Sequence, residues 1–189
     1  MNPTKNDSEK SPLLQPASVK PNLGAVPSWY QDFLEQVERF WVVNQIEPSK
    51  RSSFLLSNLL SAIEAGDKNR VHLILEVSLQ FDAPEKAVLL CEMLLIKQHY
   101  RHQELVRELQ LMAEPSAVPY LVKALTSNLD YMDEYNGSGS GVVAKWFSHA
   151  LLDIGTPEAI EALRAFSAHS DAEVREEMAY RLTKLEDLD

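Results

Sequence analysis

The residues of this chain that could do chemistry are few and mostly stand apart. Its single cysteine, Cys91, sits inside the run Val88-Leu89-Leu90-Cys91-Glu92-Met93-Leu94-Leu95. A cysteine nucleophile needs a base and an electropositive setting. In an apolar run it reads as a small core residue, and one cysteine excludes an internal disulfide. His99 and His102 lie three apart and could share a helix face. No third ligand at metal spacing accompanies them, so they read as exposed residues at a helix start. His149 follows Trp146 and Phe147 on a mostly apolar stretch and reads as structural. Glu173, Glu176 and Glu177 suit a solvated face near a helix N-terminus and need no acid catalysis. The chain carries no interpretable triad, carboxylate pair or dinucleotide fingerprint. No catalytic residue, metal site or cofactor is assigned.

Recognition chemistry is better represented. Asn128 to Asn136 contains Asp130, Tyr131, Met132, Asp133, Glu134 and Tyr135, followed by Gly137-Ser138-Gly139-Ser140-Gly141. Tyrosine supplies contact area and a hydroxyl, and carboxylates steer and pair with Lys or Arg. The six residues 130–135 are therefore the candidate partner-binding set, and the partner they suit is a protein with a basic surface. The Gly-Ser run reads as a mobile connection, since acidic surroundings and the lack of a P-loop lysine argue against phosphate. On this reading the segment is a protruding loop, and removing 129–140 leaves helicity intact.

The elements that position these residues follow from composition and period. The chain has 189 residues, 45% of them hydrophobic and only six of them glycine, which favours helix over a turn-rich β fold. Net charge is −10, distributed as +1 over 1–27, −3 over 28–100 and −8 over 101–189. Such a surface repels phosphate backbones and attracts basic proteins. Residues 1–27 hold five of the ten prolines and no periodicity, so they read as a disordered leader whose Leu13-Leu14 could dock. No secretory segment or membrane-length apolar run is present, which points to a cytoplasmic protein.

From Ser28 the pattern turns helical, with Trp29, Phe33, Val37, Phe40 and Trp41 at helical spacing to about Asn44. Pro84, Pro115 and Pro157 each open a helix, separated by 31 and 42 residues, the latter being one period plus an 11-residue insertion at 128–141. Ala87, Leu90 and Leu94 correspond to Val118, Leu121 and Leu125, and to Ile160 and Leu163. Leu105, Leu109 and Met112 correspond to Phe147, Leu151 and Ile154. Upstream, Ser53, Leu56, Leu59 and Ile63 fit the same frame. A period of this length is that of a helical hairpin whose two stripes bury against neighbouring copies. The predicted pairs are 50–65/67–81, 84–97/100–113, 115–128/141–154 and 157–168/171–186, with the helix at 29–44 as an N-terminal cap over a domain spanning 28–189.

The last pair resembles a known family. Thr156-Pro157-Glu158-Ala159-Ile160-Glu161-Ala162-Leu163, then Ser170-Asp171-Ala172-Glu173-Val174-Arg175, Ala179 and Leu182, is similar to a bacterial HEAT-like repeat of the type also found in phycobilisome lyases. The resemblance implies an all-α, short right-handed solenoid of about four helical hairpins. It implies that Asp171 caps the second helix, as Asp67 does earlier, and that Arg175 pairs with carbonyls or with an acid in an adjacent repeat. Arg175 corresponds to Ala144 and His102 in preceding copies, so the Asp/Arg ladder is discontinuous. For function, the resemblance implies a non-catalytic binding module. Such modules include adaptors and immunity proteins that mask a toxin, and basic-cleft plugging suits the acidity. The alternatives it brings are a lyase or isomerase acting on a bilin-like chromophore, and a HEAT-like DNA glycosylase, which the net acidity disfavours.

Overall fold

The computed structural model describes residues 28–186, and the expected leader at 1–27 lies outside them. Among the described residues the chain forms nine α-helices and no strand. They are α1 (Ser28–Val43), α2 (Arg51–Glu64), α3 (Lys68–Ser78), α4 (Ala83–Leu94), α5 (His102–Met112), α6 (Val118–Asn136), α7 (Ser140–Ile154), α8 (Pro157–Phe166) and α9 (Ala172–Glu186). Short 3-10 turns at Pro48–Lys50 and Pro115–Ala117 precede α2 and α6.

Sequence neighbours pair: α2 packs on α3, α4 on α5, α6 on α7 and α8 on α9. The first helices of successive pairs also touch, α2 to α4, α4 to α6 and α6 to α8, and so do α5, α7 and α9 in turn. One continuous apolar core results, running from Val37 and Trp41 on α1 to Val174 and Met178 on α9. Within it Leu90, Leu94, Leu105, Leu109, Leu121, Leu125, Phe147 and Leu151 are all buried. These are the positions that the repeat aligns. Each such side chain contributes on the order of 1.5–3 kcal/mol by leaving water, which no single amphipathic helix could supply for itself.

Helix starts follow the local chemistry. Thr156 Oγ1 accepts from the Ala159 N–H, with Pro157 at the first helical position of α8. Asp67 accepts from the Arg70 N–H at the start of α3. Asp171 Oδ1 accepts from both Glu173 and Val174 N–H groups at the start of α9. Pro84 lies in the first turn of α4. Pro115 differs: it opens a 3-10 turn, and α6 itself starts three residues later. In α2 the inward stripe is Leu55, Leu59 and Ala62, so Ser53 is exposed, and Leu56 and Ile63 are half-buried.

The segment expected to be a protruding loop is helical. α6 continues two turns beyond Asn128, because Leu125, Leu129 and Met132 prolong its apolar stripe at spacings of four and three. The helix ends only where Gly137 adopts φ +63°, a left-handed C-cap that glycine takes without strain. Met132 is fully buried, so it belongs to the core and not to a binding surface. Removing 129–140 would delete core side chains, contrary to the sequence expectation.

Candidate interaction site

The inserted turns of α6 lie against the turn that joins α4 to α5. That turn, Leu95 to Arg101, carries two non-glycine residues in the left-handed region, Gln98 at φ +71° and Tyr100 at φ +57°. Each such residue costs about 1–2 kcal/mol unless its surroundings fix it. Two histidines supply the fixing.

His99 and His102 are both buried, with rings stacked at 4.0 Å between centroids. This corrects the expectation of exposed residues at a helix start. Their roles follow from their partners. His99 Nε2 lies 3.1 Å from the Met93 carbonyl, which can only accept, so Nε2 carries the proton. His99 Nδ1 lies 3.1 Å from the Arg101 N–H, which can only donate, so Nδ1 is bare. His102 Nε2 donates to the Ile96 carbonyl at 3.1 Å, leaving Nδ1 to accept from the Tyr135 hydroxyl at 3.3 Å. The two imidazoles thus tie the turn to carbonyls at and just beyond the end of α4: Met93, which also accepts from the Ile96 N–H, and Ile96. Burial pushes both histidines down, His99 to about 4 and His102 to about 3, with the Arg101 charge and the His99 ring adding to it respectively. Both are neutral at pH 7.

Three tyrosines stand over this pair. Tyr100 meets Tyr135 edge to face at 5.5 Å and Tyr131 at 6.2 Å, and Tyr131 meets Tyr135 at 5.4 Å. Tyr131 and His102 are T-shaped at 5.9 Å. The Tyr131 hydroxyl is buried beside Gln98 and Tyr100 without a well-formed hydrogen bond, and burial raises its pKa, as it does that of Tyr135. Tyr100, by contrast, is 54% exposed. Of the six candidate residues, Asp130 and Glu134 are exposed, while Tyr131, Asp133 and Tyr135 are half-buried. Asp130 and Glu134 sit at i and i+4 on one face, where like charges repel. Neither they nor Asp133 form an ion pair among the described residues, and the last turn of α6 has no basic residue. The helix C-terminus, the unpaired carboxylates and the tyrosine faces all favour a cation.

Beside Tyr100 lies a recess of about 600 Å³, walled by Ile63, Gly66, Lys68, His72 and Gln98. Arg101 borders it and is held by Glu76 of α3 at 2.8 Å, with Glu104 and His72 also in contact. Tyr100 and Gln98 carry no sequence signal of their conformation, since neither glycine nor asparagine marks the turn. The pairing of His99-x-x-His102 with Tyr131-x-x-x-Tyr135 was visible only as spacing.

The remaining expected residues are structural. Arg175 donates to the His169 and Ser170 carbonyls of its own turn and forms no ion pair with an acid of an adjacent helix pair. Glu173 reaches back to the N-terminus of α7, accepting from the Gly141 N–H at 2.9 Å and the Ser140 hydroxyl at 3.3 Å. Glu177 is not simply solvated, because it meets Arg181 at 2.7 Å and Ser148 at 2.8 Å. His149 Nε2 accepts from Arg181 at 2.9 Å, which fits its structural reading. Cys91 is buried in the core, and burial pushes its thiol up to about 12. No group of three or more His, Cys, Asp or Glu side chains that could hold a metal occurs among the described residues. No helix among them is long and apolar enough to cross a membrane.

No protein-family model matches the chain, and neither a curated protein nor a solved structure is detectably similar to it.

Proposed function

We propose that this chain is a non-catalytic protein-binding module, a short right-handed HEAT-like solenoid that binds and masks a basic partner protein in the cytoplasm. An adaptor or immunity-type role is the form this takes. The observation that carries it is the acid-bordered tyrosine cluster: exposed Tyr100 packed on Tyr131 and Tyr135, edged by unpaired Asp130 and Glu134. Aromatic side chains anchored on a rigid scaffold bind at low entropic cost, and surrounding carboxylates raise the rate of encounter with a cationic surface. The succession of helix pairs, with Asp67, Thr156 and Asp171 as caps, supports the solenoid reading. The charge of −8 over residues 101–189 supports a basic partner rather than nucleic acid.

The test is affinity capture by the full chain, comparing wild type with Tyr100→Ala combined with Asp130→Lys and Glu134→Lys. Wild type captures a protein of basic pI, and the triple variant, with unchanged circular dichroism, loses it. Retention of the same partner by the variant would place binding elsewhere.

A further inference from the structure

The tyrosine cluster rests on two buried, stacked histidines whose surroundings disfavour a second proton on either ring. His99 Nδ1 faces the Arg101 backbone N–H, a donor that cannot turn round, and the two rings stack at 4.0 Å. A proton added at His99 Nδ1 would set donor against donor, and charging both rings would set like charges in contact. His102 Nδ1 faces the Tyr135 hydroxyl, which would have to rotate from donor to acceptor, leaving a charged ring stacked on His99. We infer that acidification releases the Gln98–His102 turn from the end of α4 and frees the Tyr100–Tyr131–Tyr135 surface, taking up two protons. The binding role of that surface rests on the function proposed above; the switch itself does not.

The groups around the pair agree with this direction. Arg101, on the same turn, adds a positive charge beside His99. From α6 only the uncharged Tyr131 and Tyr135 reach His102, and Tyr100 packs on those two tyrosines. Glu76 on α3 and Glu104 on α5 are engaged by Arg101, as is His72 on α3, and Glu64 of α2 and Lys68 of α3 line the recess that His99 also borders. None of these groups makes a hydrogen bond or ion pair with either ring. The end of α4 presents the Met93 carbonyl, and the turn after it the Ile96 carbonyl. Among the described residues no carboxylate bonds to either ring to stabilise an imidazolium. In the released turn each histidine returns to its ordinary value near 6.5, so release is favoured as pH falls below that value. The αL conformations of Gln98 and Tyr100 relax at the same time.

The experiment is hydrogen exchange of the full chain, read by mass spectrometry and corrected for the intrinsic effect of pH. Two released histidines raise the opening constant of the segments at 97–106 and 131–137 by roughly 500-fold between pH 7 and pH 5, while one gives roughly 25-fold. The α7 core at 143–154 stays protected. His99→Gln, which keeps a donor for the carbonyl, reduces the change to the single-histidine value. A wild-type change below threefold, or α7 opening in step with the turn, overturns the inference. So does an unchanged response in His99→Gln; if that variant does not fold, the wild-type slope and the α7 control decide alone. Partner capture at pH 7 is independent of this result, so loss of the switch leaves the binding role standing.

Discussion

Replacing Glu177 with alanine should destabilise the protein more than replacing its partner Arg181. The guanidinium of Arg181 lies between α7 and α9 with its side chain only 8% exposed, against 18% for Glu177. It donates to Glu177 at 2.7 Å, to His149 Nε2 at 2.9 Å and to Ser148 Oγ at 3.3 Å. Glu177→Ala leaves a buried cation with two neutral acceptors. Breaking a buried pair costs about 3–5 kcal/mol, and partial access of water at Glu177 lowers this to about 2–4 kcal/mol. Arg181→Met removes the charge that is hardest to hydrate and leaves a carboxylate that can turn outward, at about 1–2 kcal/mol. The double variant Glu177→Leu/Arg181→Met should fall within about 1 kcal/mol of wild type, since an apolar pair replaces an ionic one of similar volume. Urea unfolding at pH 7, followed by far-ultraviolet circular dichroism, measures all three. An Arg181→Met variant as costly as Glu177→Ala, or coupling between the two sites below about 0.5 kcal/mol, would refute this order of costs.

Asp171→Ala should cost about 1 kcal/mol by removing the cap of α9. Hydrogen bonds from the Val174 and Glu173 N–H groups hold the Asp171 carboxyl below its ordinary range. Its contribution is therefore present at neutral pH and lost as pH falls through that lowered value, so the gap between wild type and variant should close in acid. A gap that does not narrow as the pH is lowered would show that the charge is not what caps the helix. Cys91 should resist iodoacetamide in the native protein and react on unfolding, because it is buried and its thiolate is disfavoured. Labelling at pH 8 that outpaces global unfolding would refute the core assignment.

The helical class, the helix pairs and most of the core were legible because each depends on local pattern. Proline at helix starts, capping Asp and Thr, and apolar residues recurring at three and four are read within one turn or one hairpin. Hence Leu90, Leu121, Phe147 and Leu163 lie inside as the period implies. The chemistry of Cys91 was also legible, since its apolar neighbours are adjacent in sequence.

The site was legible only as composition. Tyr131 and Tyr135 stood out as aromatic residues among acids, but the sequence read them as a loop, because a break in the period and a Gly-Ser run mimic one. Tertiary packing decided otherwise: Leu129 and Met132 find the core, and that burial extends α6 past the break. His99 and His102 show the same limit. Spacing alone makes them a pair on one face, and whether that face meets water depends on the carbonyls of α4 and the hydroxyl of Tyr135, 33 residues from His102. Arg181 is similar, a charged residue drawn inside by Ser148 and Glu177. The sequence by itself determined which stretches are helical and which way most of them face. Only the tertiary structure decided which polar groups are buried, because burial depends on contacts between residues that are distant along the chain, and local pattern does not encode them.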